Sequence, residues 1–66
     1  MAEFEELEAI YQTEKGKAVC LDIDGTEVWV PKSVLEHEGD ELEDAERGDH
    51  VDVSIKTWFA KKEGLI

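Results

Sequence analysis

Asp22 and Asp24 stand two residues apart at the end of an apolar alternation and directly before Gly25, a spacing of carboxylates that suggests cation binding. A calcium loop needs its glycine at the sixth position and a glutamate at the twelfth, whereas Gly25 is fourth when counted from Asp22. The remaining reactive side chains are scattered. Cys20 is the sole cysteine, so no disulfide can close within the chain, and no base lies near it in sequence. His37 and His50 are isolated, and no grouping of Cys and His has the spacing of a zinc site. No catalytic residue, metal or cofactor is expected. The simplest reading of Asp24-Gly25 is a tight hairpin turn, whose two central positions need positive φ, tolerated by Asp and preferred by Gly.

The string Leu21-Asp22-Ile23-Asp24-Gly25-Thr26 resembles the nucleophile motif of haloacid-dehalogenase-like phosphatases. That resemblance would imply that Asp22 attacks a phosphoryl group, that Asp24 is the general acid and base, and that both help to hold magnesium. The family's doubly wound sheet needs far more chain. Its downstream lysine and later acidic pair have no room after Thr26 in a sequence of 66 residues. The hairpin therefore accounts for these letters, and an enzyme is not expected.

A chain this short hides only about 60% of its unfolded surface on folding, which makes a deep cleft improbable and the core thin. Apolar residues nevertheless make up 41% of it and include two tryptophans, too much for a charge-extended disordered segment. In residues 4–13, Phe4, Leu7, Ile10 and Tyr11 have helix-like spacing. Alternation from Leu7 to Thr13 and the Lys15-Gly16 loop favour a strand from about residue 7. In 17–24, Val19, Leu21 and Ile23 share a core face with Cys20 opposite. In 26–30, Val28 and Val30 continue that face, Trp29 points the other way, and Pro31 ends the ladder. Pro31 to Leu35 can make one helical turn. Residues 36–46 hold seven acids among eleven, with Leu42 and Ala45 the only apolar members, so 36–48 reads as a solvated, mobile acidic loop. Val51, Val53 and Ile55 mark a last strand. A helix over 57–64 would have Thr57 as N-cap, Trp58 and Phe59 docked on the sheet, Lys61 and Lys62 near its end, and Gly64 as its stop. The fold class is thus mainly β (α+β): one domain over 1–66, a small antiparallel sheet or partly open barrel of about four strands, with a short C-terminal helix.

The net charge of −11 selects among partners. Membrane surfaces and phosphate backbones are repelled within a Debye length of ~8 Å, so nucleic acid and membrane are unlikely partners and a protein with a basic surface is favoured. With no basic leader followed by an apolar stretch and no bilayer-length apolar run, a cytosolic location is expected. Glu36, Glu38, Asp40, Glu41, Glu43, Asp44 and Glu46 can imitate the phosphate spacing of a nucleic acid, and Trp29 is the candidate aromatic anchor. The alternative is a small-barrel module for single-stranded nucleic acid. It would stack bases on Trp29 and Trp58, helped by Tyr11, Phe59 and Lys32, Lys56, Lys61 and Lys62. Open strand edges also permit a homodimer.

Lys17-Ala18-Val19, Ile23-Asp24-Gly25, Val28-Trp29-Val30-Pro31-Lys32-Ser33, Val53 to Ile55 and Trp58-Phe59-Ala60-Lys61-Lys62-Glu63-Gly64-Leu65 together span most of the chain. They resemble short bacteriophage and prophage proteins in which a Trp-[Ile/Val]-Pro-[Lys/Arg]-Ser string follows a hairpin. The resemblance implies a phage origin and, by analogy, an inhibitor of a host defence nuclease: an anti-CRISPR-like DNA mimic in the host cytosol.

Overall fold

The computed structural model describes residues 3–66, apart from the side chain of Glu41. The chain runs β1 (Phe4–Lys15), β2 (Ala18–Ile23), β3 (Thr26–Pro31), two 3-10 stretches (Lys32–Val34 and Glu36–Leu42), β4 (His50–Lys56) and α1 (Thr57–Lys62). The strands form one open antiparallel sheet of four in the order β3-β2-β1-β4, with the short helix at its end, as the alternation predicts.

β1 carries the sheet. Its first half pairs with β4, from Phe4 opposite Lys56 to Ile10 opposite His50, and its second half pairs with β2, from Ile10 opposite Asp22 to Lys15 opposite Ala18. The strand begins at Phe4 instead of near residue 7, because β4 supplies a ladder to the segment whose spacing looks helical. Those apolar residues are shared between two faces: Leu7, Ala9 and Tyr11 pack on the core, while Phe4 and Ile10 fall on the other side. A bulge between Tyr11 and Thr13 shifts the register where β1 changes partner. At the β2–β3 turn Asp24 and Gly25 have φ of 54° and 84°, and the Gly25 N–H donates to Asp22 Oδ1 at 2.9 Å.

The core lies on one face of the sheet. Val19, Leu21, Val30, Val53 and Ile55 are fully buried there. Val34, Leu35, Leu42 and Phe59 cover them. Leu35 also forms an isolated antiparallel bridge with Ile55, so the crossover after β3 reaches the far side of β4.

Expectations for the acidic stretch and for the C-terminal helix need correction. The acidic stretch is not simply a solvated loop. Its 3-10 turns bury Leu42 and Gly39, and Leu42 packs in the core with Leu35. Counting charges hides this, because Leu35 just before the acids and Leu42 among them supply apolar cover that the sheet face otherwise lacks. The second correction concerns Trp58, which is 57% exposed while Phe59 is buried. Successive helical residues are turned by about 100°, so only Phe59 and Ala60 of α1 reach the core. Trp58 instead meets Phe59 edge to face, with ring centroids 5.8 Å apart. The helix is also shorter than 57–64: Thr57 is its first turn, not its cap, Lys56 occupies the cap position, and Lys62 is its last residue.

Gly39 has φ of +76°, and a Cβ there would stand 3.0 Å from Leu35 Cδ1. Gly39→Ala is expected to cost about 1–3 kcal/mol in a denaturant melt, from left-handed strain plus displacement of a core leucine. Gly48→Ala, with no atom in the way of its Cβ, should cost less. Equal losses would mean that the Leu35 contact is immaterial.

Candidate functional site

No charged or polar residue is buried among the described residues, so the acids are carried on the surface. In the crossover segment Glu38, Asp40, Glu43, Asp44 and Glu46 are exposed and Glu36 is half-buried. The side chain of Glu41 lies outside the described residues. Glu36 Oε1 is 3.5 Å from Nε2 of its neighbour His37. The Glu46 N–H donates to Asp49 Oδ2 at 2.9 Å, closing the turn that leads into β4.

Trp29 is 50% exposed and projects from the open face of the sheet, since Val28 and Val30 on either side of it point into the core. The crossover segment covers the core face. The proposed anchor and the acids at 36–46 therefore occupy opposite sides of the sheet and do not form one continuous site. Trp29 and Trp58 are also separated, one on edge strand β3 and the other just after edge strand β4.

The Trp-Val-Pro-Lys-Ser string has a structural job. Pro31 ends β3, the Lys32 N–H donates to the Lys17 carbonyl at 2.8 Å, and Lys32 Nζ donates to Glu14 Oε2 at 2.7 Å. That hydrogen bond to Glu14 raises the Lys32 pKa, holding the ammonium charged. Lys17, Lys32 and Ser33 line a cleft of about 380 Å³ together with Glu38.

The register creates an acidic surface that reading along the chain missed. On the open face Asp22 is directly opposite Glu27, and Glu8 is directly opposite Asp52. Like charges facing each other across a ladder destabilise it. Ile10 lies between the two pairs, opposite Asp22 on one side and His50 on the other. A shallow cleft of about 220 Å³ opens here, walled by Glu8, Asp22, Asp24 and His50 over Ala9 and Ile10. The signal in the sequence was the outward parity of these acids, which becomes a pairing only once strand register is known.

Cys20 is 3% exposed beneath this face, opposite Trp29. Burial pushes its thiol pKa up, and the neighbouring Glu27 carboxylate, 3.7 Å from Sγ, raises it further. Arg47 pulls the other way without reversing the upward shift, so Cys20 is a packed thiol and not an activated nucleophile. Asp22 and Asp24 belong to the hairpin, with Asp22 holding the Gly25 amide. Among the described residues no group of three or more His, Cys, Asp or Glu is placed to hold a metal ion. Among the described residues no helix is long and apolar enough to cross a membrane.

The site and fold together define a small, open antiparallel sheet with an acidic exterior. No protein-family model, curated protein or solved structure matches the chain.

Proposed function

We propose that this chain is a non-catalytic binding protein that occupies the basic, nucleic-acid-binding surface of a protein partner and thereby inhibits it. The observation that carries this reading is the absence of any buried charged residue among those described, in a chain of net charge −11. Such a body steers toward Lys- and Arg-lined grooves and away from phosphate. Both indoles stand at the surface as aromatic anchors of the kind that dominate interface energies. The resemblance to short phage and prophage proteins gives the partner a setting, a host defence nuclease met in the host cytosol.

A stacking platform for single-stranded nucleic acid has less support, because its two indoles sit at opposite edges of the sheet and the net charge repels the ligand. The free edge of β3 offers a pairing strand to a second copy, yet a homodimer would juxtapose two bodies of −11 each. A basic protein is the favoured partner.

The reading is tested by affinity capture from a host lysate at about 50 mM and about 500 mM salt, followed by titration of the captured protein with labelled duplex. The expected result is a nucleic-acid-binding protein retained only at low salt, whose duplex is displaced by this chain. Salt-independent capture, or a captured protein that keeps its duplex, contradicts the reading.

A further inference from the structure

We infer that the basic partner is held by strand addition: an extended segment in which arginine alternates with an apolar residue pairs antiparallel with the outer edge of β3 and becomes the fifth strand of the sheet. This rests on the functional reading above and names how its partner is gripped. The observation behind it is a row of backbone groups. The Lys32 N–H donates to the Lys17 carbonyl at 2.8 Å, and the two-residue turn at Asp24-Gly25 closes on Ile23 and Thr26. Both fix the parity of the ladder. The bonds from β3 to β2 run through Thr26, Val28 and Val30, whereas the N–H and C=O of Glu27 and Trp29 point away from β2. β3 ends the strand order, and among the described residues no other backbone group bonds to Glu27 or Trp29. Pro31, next in that parity, has no N–H to offer.

The other edges of the sheet are guarded. Leu35 of the crossover bridges to Ile55 on the outer side of β4. Past Tyr11, β1 is bulged and ends in Lys15. Bulges, lysines and covering segments are the usual protection of a sheet edge, yet Thr26 to Val30 carries no lysine or bulge and is paired on its β2 side alone. The side chains along this edge select the occupant. In an antiparallel fifth strand, the residues opposite Glu27 and Trp29 lie on the open face, and the one between them lies opposite Val28 on the core face. Exposed Glu27 calls for a cation, the half-exposed ring of Trp29 accepts a guanidinium on its face, and Val28 calls for an apolar side chain. β3 supplies no cation of its own. Lys32, just after it, is tied to Glu14, and Arg47 precedes the Gly48 amide bonded to Tyr11, on β1. A second copy of this chain would bring another charge of −11 to a strand spacing of ~4.8 Å, well inside the Debye length, so it is not the occupant.

The test uses the full chain and a short synthetic peptide in which arginine alternates with valine, at about 50 mM salt, with amide hydrogen exchange read residue by residue. In the free protein the Glu27 and Trp29 amides should exchange fast and those of Val28 and Val30 slowly. The peptide should slow exchange at Glu27 and Trp29 about tenfold or more. N-methylation of its arginines keeps every charge but removes the N–H groups that face β3, and should weaken binding about tenfold or more. N-methylation of its valines should change affinity less than about threefold, because their N–H groups face away. Glu27→Lys should weaken binding about tenfold or more, whereas Asp44→Lys, the same change in net charge, should weaken it less than about threefold. If Val28 loses its slow exchange in Glu27→Lys, that variant has unfolded, and the methylated peptides on the parent chain decide. A peptide that fails to bind, affinity indifferent to where the methyl groups sit, or equal losses in the two lysine variants would overturn the inference and leave the functional reading standing. So would a free protein that sediments as a dimer with Glu27 and Trp29 already protected. Protection of these amides by an oligonucleotide in the peptide's place would sink both readings. A captured partner that keeps its duplex, while the peptide still protects Glu27 and Trp29, would overturn the functional reading alone.

Discussion

Leu21→Ala is expected to lower stability by about 2–5 kcal/mol, the range for deleting a fully buried leucine whose neighbours cannot collapse into the space. Leu21 has no solvent exposure and sits mid-way along β2, between β1 and β3. A domain of 66 residues has, at ~0.1 kcal/mol per residue, roughly 7 kcal/mol to lose from. The substitution therefore removes a large fraction of the total. In a thermal melt followed by circular dichroism the midpoint should fall by about 10–25 °C. A fall under about 5 °C would place Leu21 outside the core and invalidate the face assignment of β2, and with it the outward direction of Cys20 and Asp22.

Leu42→Ala should cost about 2–4 kcal/mol although it lies in the most acidic part of the chain. The residue is 3% exposed and joins the core cluster beneath the crossover segment. Leu42→Met, which keeps the volume, should cost far less. Were the segment only a solvated loop, Leu42→Ala would fall within about 0.5 kcal/mol of the parent, as ordinary surface substitutions do. Denaturant midpoints of the two variants, measured with unchanged slope, decide between these cases. The outcome also bears on the acids at 36–46, since a segment held down by Leu35 and Leu42 is cover for the core before it is anything else.

Much of the architecture was legible because strand alternation is a local property. Val19, Leu21 and Ile23, then Val28 and Val30, then Val53 and Ile55 declare their common face by period alone, and all are buried. Asp24-Gly25 declares its turn by the φ values it needs. Trp29, placed opposite the valines by parity, is exposed as expected. Phe4 was harder to place, because a spacing of three and four residues fits a helix as well as two faces of a strand, and only pairing with β4 distinguishes them. Trp58 was misplaced for a similar reason. Two adjacent aromatics at a helix start cannot both face inward, and sequence does not say which one does.

The candidate site divides along the same line. Composition and alternation alone determined that the chain is a thin-cored, mainly β domain, that its charge is strongly negative, and that Trp29 faces outward. Tertiary structure decided which acids face one another and which side of the sheet the crossover segment covers. Side-chain parity depends on a residue's immediate neighbours, but register and layer depend on where a distant strand ends up. The opposition of Glu8 to Asp52, 44 positions apart along the chain, exists only after β1 and β4 have met.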